Sequence, residues 1–195
     1  MKITFHGAAR AVTGSKHLIT LNNDTQILLD CGLFQGMGEV TDGLNESFGF
    51  NPEKVTVVIL SHAHIDHCGL LPRLVAAGFT GTIFCTPATM ELAGILLRDS
   101  AKIHEQDAEY ANRHVKAKED QEMPLYNEED VVKTMSRFKV VDYKEDYEIV
   151  PDVMLRFTDA GHIIGSAAVH LQITEGNETK RLTFSGDVGR YGDLI

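Results

Sequence analysis

The feature that most constrains this chain is an apolar run, VTVVIL at 55–60, followed at once by the stretch SHAHIDH. The run predicts a strand that is buried on both faces. On an extended backbone, His62 and His64 point to the same side at the end of that strand. Asp66 and His67 come next, where a helix is expected to begin. Because imidazole is costly to bury without partners, this group of three imidazoles and a carboxylate predicts a site for zinc or a similar divalent metal.

Three further segments place an ionisable side chain after a predicted strand. Asp30 ends QILLD, His162 ends VMLRFTDAGH and Asp187 ends RLTFSGD. Each segment alone is also explained as an ordinary turn, since Asp-Gly and Gly-His pairs are common in turns. Together with SHAHIDH, they place ionisable groups at the ends of four strands. In open α/β sheets such an edge is where ligand sites are built, so the sequence predicts one composite site.

The rest of the chain predicts a layered α/β domain with a mixed sheet. Short β-prone segments alternate with turn residues, and the helical segments repeat apolar residues at helical spacing. The predicted strands are 2–5, 16–21, 26–30, 55–60, 82–85, 154–158, 167–173 and 181–185. The predicted helices are 66–77, 89–118 and 127–138. The glycine-rich stretch 32–52 is expected to be a loop.

The length of the chain limits the number of domains, and its net charge limits the ways in which it could bind a polyanion. A chain of 195 residues is long enough for one sizeable core and too short for two ordinary domains, so residues 1–195 are expected to form a single domain. The formal charge is −10, which argues against a protein that holds nucleic acid mainly through a basic face. Any polyanionic substrate would then be held by a local feature, and a metal centre is such a feature.

The sequence also favours a cytoplasmic protein. The N-terminal residues lack the apolar core of a signal peptide, and no apolar run approaches the length of a membrane span, so no membrane partner is expected. Cys31, Cys68 and Cys85 form an odd set at unrelated spacings, which argues against a disulfide framework. Cys68 follows His67 and is expected to pack as a small apolar residue that does not bind metal.

The segment HAHIDH at 62–67, with His162, Asp187 and the upstream Asp30, resembles the metal signature of the metallo-β-lactamase superfamily. The resemblance covers the whole chain and implies a metallo-β-lactamase-like αββα sandwich with mixed β-sheets, here incomplete at its C-terminus. It also implies zinc as the cofactor, in two positions, with Mn²⁺ as an alternative metal. The implied metal ligands are His62, His64, Asp66, His67, His162 and Asp187.

The resemblance divides these ligands between two metals. The first metal would take the two histidines of HAH and His162. The second would take Asp66 and His67, and Asp187 would bridge both. Asp30 matches a buried aspartate that orients a ligand histidine, and Asp66 is also suited to orient the attacking water or accept its proton. The implied catalytic residues are therefore Asp66, Asp187 and Asp30.

Three longer stretches extend the resemblance: GAARAVTGS at 7–15, DAGHIIGSA at 159–167 and FSGDVGR at 184–190. They resemble the β-CASP group of RNA-processing nucleases. The resemblance implies RNA as the substrate and phosphodiester hydrolysis by a water that two metals activate. Members of this group insert a second domain after the segment that matches 186–190, and a closing segment then supplies one more metal-binding histidine. We therefore expect residues 1–195 to be the N-terminal part of the metallo-β-lactamase-like domain, and to be a weak nuclease or inactive alone.

Other functions share parts of these motifs. A small-molecule hydrolase, such as a thioesterase or lactonase of the glyoxalase II kind, has the same zinc ligands but usually differs in the three longer stretches. A metal-binding module without catalysis is a further alternative. Diiron flavoproteins of the superfamily typically carry glutamate where this chain has His64, so a redox centre is disfavoured.

Three cations in glycine-containing segments are candidates for substrate contact. Arg10, Lys16 and Arg190 are expected either to touch phosphate at the mouth of the site or to be solvated surface cations. The sequence leaves open the oligomeric state and whether a nuclease of this kind cuts as an endonuclease or an exonuclease.

Overall fold

The computed structural model describes residues 1–36, 38–115, 117, 119, 121–190 and 192. In this part of the chain, two β-sheets pack face to face, and helices cover the outer face of one sheet. The strands are β1 (Lys2–Phe5), β2 (His17–Thr20), β3 (Gln26–Leu29), β4 (Val57–Ile59), β5 (Thr82–Cys85), β6 (Phe138–Val140), β7 (Tyr147–Val150), β8 (Val153–Asp159), β9 (Ala167–Glu175) and β10 (Glu178–Phe184). The helices are α1 (Glu39–Glu46), α2 (Ile65–Cys68), α3 (Leu71–Ala76), α4 (Pro87–Asn112) and α5 (Glu128–Met135), with a 3₁₀ turn at Pro52–Lys54.

The larger sheet is mixed, with the strand order β1-β2-β3-β4-β5-β6. Strands β1, β2 and β3 pair antiparallel, whereas β3 to β6 pair parallel. Parallel neighbours require crossover connections, and the described helices lie in these crossovers. The carboxyl ends of β3, β4 and β5 therefore meet at one edge of the sheet.

The apolar runs of the larger sheet arise because it is buried on both faces. Leu28 and Val58 pack in the core under the helices, while Ile27, Leu29 and Ile59 pack in the core between the sheets. Full burial of each aliphatic side chain contributes about 1.5–3 kcal/mol. This double burial explains why the sequence of these strands shows no alternation of apolar and polar residues.

The smaller sheet is antiparallel, with the strand order β10-β9-β8-β7. In β9, Val169, Leu171 and Ile173 face the larger sheet. On the opposite face, His170 and Gln172 line an open groove. No helix side chain among the described residues belongs to the core between the sheets. The predicted mixed α/β fold with paired sheets is confirmed, and the described residues form three of the four layers of the αββα sandwich.

The loop predicted over 32–52 was wrong, because α1 lies within it. The buried side chain of Asn45 anchors this helix to the chain before it. Asn45 accepts from the N–H of Phe34 at 2.8 Å and donates to the carbonyl of Phe34 at 3.0 Å. The many glycines of this stretch favour a loop. Helix propensity is a local property, so it does not reveal a contact between residues eleven positions apart.

The single helix predicted over 66–77 is divided into α2 and α3. The N–H of Leu70 donates to the carbonyl of Cys31 at 2.9 Å, so it is not available to continue α2. Pro72 lies in the first turn of α3, where its missing N–H has no cost.

The later elements also differ from the predicted bounds. Helix α5 ends at Met135, and the predicted end of this helix at 138 is instead the start of strand β6. Strand β7 was not predicted. Helix α4 ends at Asn112, and residue 118, where its end was predicted, lies outside the described residues. None of the described helices combines the length and apolarity that crossing a membrane requires.

The three cysteines are buried and carry no disulfide. The thiol of Cys68 donates to the carbonyl of Ala63 at 3.1 Å. Cys31, Cys68 and Cys85 all belong to the core under the helices. Cys68 therefore packs as a small apolar residue in the core, as the sequence predicted.

Helix α5 depends on a capping box at its start. The side chain of Asn127 accepts from the N–H of Asp130 at 3.0 Å, and the carboxylate of Asp130 accepts from the N–H of Asn127 at 3.2 Å. Asn127→Ala removes the first bond, so we expect the free energy of unfolding to fall by about 1 kcal/mol in urea titrations. Glu91→Ala, at an exposed position of α4, is the control and should change it by less than about 0.5 kcal/mol. Equal losses in the two variants would contradict the role of the cap.

Candidate metal centre

The predicted site residues lie at one edge of the two packed sheets. Each follows the end of a strand or lies in the short helix next to it, so a rigid element positions each side chain. Asp30 follows β3, His62 and His64 follow β4, Asp66 and His67 lie in α2, His162 follows β8, and Asp187 follows β10.

Four of these side chains bring a donor atom into one small volume. His64 Nδ1 lies 3.1 Å from His62 Nε2 and 3.1 Å from His162 Nε2. Asp187 Oδ2 lies 3.4 Å from His162 Nε2 and 3.9 Å from His62 Nε2. All four donor atoms lie within 4.8 Å of one another. The structure therefore brings together side chains from three separate segments, whose role as ligands stays a prediction.

The spacing of these atoms suits a tetrahedral metal ion. Zinc–nitrogen bonds of about 2.0–2.1 Å place neighbouring donors about 3.4 Å apart in a tetrahedron. The four measured separations of 3.1, 3.1, 3.4 and 3.9 Å surround that value. Three imidazole nitrogens and a carboxylate oxygen are also donors that divalent transition metals prefer. The residues present therefore fit a divalent metal ion.

A second group of donors lies beside the first. His67 Nε2 is 3.3 Å from Asp187 Oδ1 and 3.8 Å from Asp66 Oδ2. Asp187 thus turns Oδ2 to the first group and Oδ1 to the second, which is the arrangement of a bridging ligand. The second group therefore offers three donors to a metal ion, from Asp66, His67 and Asp187, whereas the first group offers four.

Asp30 lies behind His67, on the side away from the converging donors. Its fully buried carboxylate accepts four hydrogen bonds. Oδ1 accepts from the N–H of Ser61 at 2.8 Å, and Oδ2 accepts from the Ser61 hydroxyl at 3.0 Å. Oδ2 also accepts from the Ser15 hydroxyl at 3.1 Å and from His67 Nδ1 at 2.7 Å. These contacts agree with the predicted role of Asp30, which is to orient His67 from behind.

The hydrogen bonds around Asp30 select which nitrogen of two histidines faces the cluster. The one hydroxyl hydrogen of Ser61 goes to Asp30, so Ser61 Oγ accepts from His62 Nδ1 at 3.0 Å. His62 Nε2 is then left with a lone pair that faces the cluster. His67 donates from Nδ1 to Asp30, so in the neutral ring its Nε2 likewise carries the lone pair. One buried carboxylate thereby aims two imidazoles, directly or through a serine.

Burial favours the neutral form of His62 and His64. Burial and the neighbouring histidines lower the pKa of His62 to about 2. Burial and a neighbouring histidine also lower the pKa of His64. For His67, burial lowers the pKa, but the hydrogen bond to Asp30 and the charges of three nearby carboxylates outweigh it, so the pKa is raised. Neutral imidazole is the form that binds metal, so His62 and His64 need not lose a proton at neutral pH.

Two glycines allow the loops around the site to approach one another closely. A Cβ on Gly32 would lie 1.6 Å from the carbonyl oxygen of Asp66, and a Cβ on Gly189 would lie 1.5 Å from that of Gly161. The N–H of Gly189 also donates to the carbonyl of Ala160 at 3.0 Å. A side chain at either glycine would push apart loops that carry predicted ligands.

The sequence analysis missed the residues that hold the loop of His162. Thr86 and Thr89, buried at the start of α4, donate their hydroxyls to the carbonyl of Gly165 at 2.7 and 2.8 Å. The hydroxyl of Ser166 accepts from the N–H of His162 at 3.1 Å. A threonine before a helix predicts only an N-cap, so the local sequence carries no signal for this long-range contact.

One of the three candidate phosphate contacts was wrong. Lys16 is fully buried, and its Nζ donates to the carbonyl of Gly32 at 2.9 Å and lies 4.2 Å from the centroid of the Phe34 ring. Burial lowers the pKa of Lys16 to about 8. Lys16 is therefore neither a substrate contact nor a solvated surface cation. Arg10 and Arg190 are exposed, as both predicted alternatives require.

Residues 12–195 match the family model described as the metallo-beta-lactamase superfamily. The chain belongs to this superfamily. The matched region contains Asp30 and all of the predicted metal ligands, so the membership agrees with the geometry of the cluster.

Similar curated proteins include two ribonucleases by name and a transcription termination factor. This superfamily member is 37% identical over 196 residues to ribonuclease TTHA0252 of Thermus thermophilus, covering 100% of this chain and 40% of the relative. It is 35% identical over 188 residues to transcription termination factor FttA of Methanosarcina mazei, covering 96% of this chain and 27% of the relative. It is 28% identical over 186 residues to an RNase J-like protein of Methanocaldococcus jannaschii, covering 95% and 36%. The chain thus spans 27–40% of the lengths of these relatives.

Solved structures of metallo-beta-lactamases share the fold. A metallo-beta-lactamase of Cronobacter sakazakii aligns with a TM-score of 0.54 at 18% identity, covering 99% of this chain and 63% of that chain. The enzyme BJP-1 of Bradyrhizobium japonicum aligns with a TM-score of 0.51 at 16% identity, covering 93% and 58%. At such identities the likeness concerns the fold alone, and it confirms the predicted metallo-β-lactamase-like architecture.

Asp30→Asn tests whether the buried charge behind the cluster aims the histidines. Asparagine keeps the shape of the side chain and tolerates the φ of 57° at this position, but it lacks the charge. We expect metal affinity to fall by about 10- to 100-fold, measured by competition with a chromophoric chelator. Asp24→Asn, at an exposed turn with φ 64°, is the matched control and should leave the affinity unchanged. Equal affinities in the two variants would make Asp30 an ordinary turn residue.

Proposed function

We propose that this chain is the metal-binding part of a hydrolase that cleaves phosphodiester bonds of RNA. The observation that carries the proposal is the convergence of four donor atoms within 4.8 Å, beside a second group that shares Asp187. Two adjacent metal positions suit displacement at a phosphate, because both the attacking and the leaving oxygen need charge stabilisation. The names of the relatives, ribonuclease and RNase J-like protein, support RNA as the substrate.

The proposed roles follow the contacts of each side chain. His62, His64 and His162 would hold the first ion, Asp66 and His67 the second, and Asp187 both. When bound, zinc or manganese ions supply an attacking water of lowered pKa and about four positive charges facing the phosphate. The partly exposed carboxylate of Asp66 would orient that water or accept its proton. Asp30 acts through His67 and Ser61 and does not meet the substrate.

Local positive charge is what allows an acidic chain to hold a polyanion. The chain carries a formal charge of −10, so its surface as a whole repels RNA. Arg10 and Arg190 are exposed in the stretches 7–15 and 184–190. We propose these two arginines as phosphate contacts beside the metal positions, since guanidinium binds phosphate through two parallel hydrogen bonds.

The placement of the chain in a larger protein is also a proposal. The relatives are much longer than the chain, which spans 27–40% of their lengths. We propose that residues 1–195 are the N-terminal part of the metallo-β-lactamase-like domain and that further sequence supplies the β-CASP domain and a last metal ligand. A cytoplasmic location fits the three free, buried cysteines, because thiols stay reduced in that compartment.

The two metal positions should differ in affinity. The first has four protein donors and the second has three, one of them shared. Because fewer ligands leave more of the coordination sphere to water, the purified chain should hold one zinc ion tightly and a second one weakly. Elemental analysis after gel filtration and a chelator titration measure both. Two ions held with equal affinity would contradict the assignment of ligands.

Cleavage of RNA by the longer protein that contains this chain tests the proposed activity. The protein should cut RNA, stop after chelation and recover with zinc or manganese. His64→Ala removes the nitrogen that lies 3.1 Å from two other donors. We expect kcat/KM for RNA to fall by more than the roughly 10- to 100-fold that follows loss of a residue that only orients a ligand.

The control for this test is His170→Ala. His170 lies on the outer face of the smaller sheet, between the hydroxyls of Thr158 and Thr183, so the variant should keep full activity. A protein that hydrolyses a thioester or a lactone and leaves RNA intact would overturn RNA as the substrate. A protein that binds metal but hydrolyses neither RNA nor a thioester nor a lactone would instead be a non-catalytic metal-binding module.

A further inference from the structure

His17 is a buried histidine that the proposed chemistry does not use. It begins β2 and is 9% exposed. Its ring packs edge-on between Phe5 of the larger sheet and Phe184 of the smaller sheet, with a centroid distance of 5.3 Å to each. Nδ1 has no hydrogen-bond partner among the described residues. Burying a ring nitrogen without a hydrogen-bond partner has a cost in free energy, so the histidine calls for an explanation.

One path from His17 leads through Ser15 and Asp30 to His67. His17 Nε2 lies 3.5 Å from Ser15 Oγ. Ser15 donates its single hydroxyl hydrogen to Asp30 at 3.1 Å, so towards His17 it can only accept. His17 therefore carries its hydrogen on Nε2, which leaves Nδ1 as a bare acceptor between the aromatic rings. In this arrangement His17 holds the serine hydroxyl in the orientation that serves Asp30, and Asp30 in turn binds His67 at 2.7 Å.

A second path leads through Phe184 to Asp187. Strand β10 ends at Phe184, three residues before Asp187. The edge contact between His17 and Phe184 therefore ties the start of β2 to the strand end that carries Asp187. The first path thus ends on His67 and the second on Asp187. These are two of the three donors at the second metal position.

We propose that His17 is a positioning residue for the second metal position, an inference that rests on the metal centre proposed above. It acts on His67 through Ser15 and Asp30, and on Asp187 through Phe184. The first metal position depends on it less, because His64 and His162 share neither path, and Asp187 is one of four donors there but one of three at the second position.

Three substitutions separate the two paths. His17→Phe keeps a ring between the two phenylalanines and removes the Nε2 hydrogen. His17→Gln removes the ring and restores a side-chain N–H that can reach Ser15. His17→Leu removes both. His170→Ala is again the matched control, because His170 is a partly buried histidine with two threonine partners away from the site.

The measurements are the two zinc affinities of each variant, obtained by competition titration up to millimolar zinc, and the visible absorption of the Co²⁺-loaded protein. For His17→Phe, we expect the zinc affinity of the second position to fall about tenfold and that of the first to stay within about twofold. Loss of a residue that orients a metal ligand typically lowers metal affinity by about 10- to 100-fold, and His17 acts one step further away. The Co²⁺ absorption of the second ion should change with it. His17→Gln should recover part of the second affinity, and His17→Leu should show the largest loss.

A purely structural His17 would give a different pattern, namely a lower melting temperature with both affinities unchanged or lowered equally. That pattern, or a His17→Phe variant that matches the unsubstituted chain, would overturn the inference and leave the metal centre intact. An unsubstituted chain that binds one zinc ion and no second ion up to millimolar zinc would also overturn the inference alone. A chain that binds no zinc would overturn the proposed function together with it.

Discussion

The buried charge of Asp30 is the constraint on which the rest of the site depends. A carboxylate in the interior costs several kcal/mol unless donors surround it, and each hydrogen bond to a charged group contributes about 1.5–3 kcal/mol. The donors come from Ser15, which precedes β2, and from Ser61 and His67, which both lie in the SHAHIDH segment. The segments that must converge to stabilise this charge therefore also carry or orient the predicted ligands. Folding around Asp30 therefore also positions His62 and His67, two of the predicted ligands.

The direction of the strands explains why distant ligands arrive at the same place. Strands β3 and β4 are parallel neighbours, so their carboxyl ends lie side by side. Strands β8 and β10 both pair antiparallel with β9, so they too run in the same direction. Because the two sheets share a packed core, these four strand ends have little freedom to move apart.

Much of the fold was predictable because it depends on patterns a few residues long. Strands β1 and β5 lie at their predicted bounds, since short β-prone runs between turn residues are a local signal. The predictions that failed involve partners far along the chain. Helix α1 depends on Asn45 binding Phe34, the break after α2 depends on Leu70 binding Cys31, and the burial of Lys16 depends on the carbonyl of a distant glycine.

The sequence by itself determined which side chains are available at this site, because His62 and His64 share one side of an extended backbone and Asp66 and His67 follow within the next turn. Only the tertiary structure decided that His162, 98 residues from His64, meets the same point. It also decided which oxygen of each carboxylate faces which group of donors. The physical reason is that backbone periodicity acts over a few residues, whereas the distance between two strand ends depends on how complete sheets pack against each other.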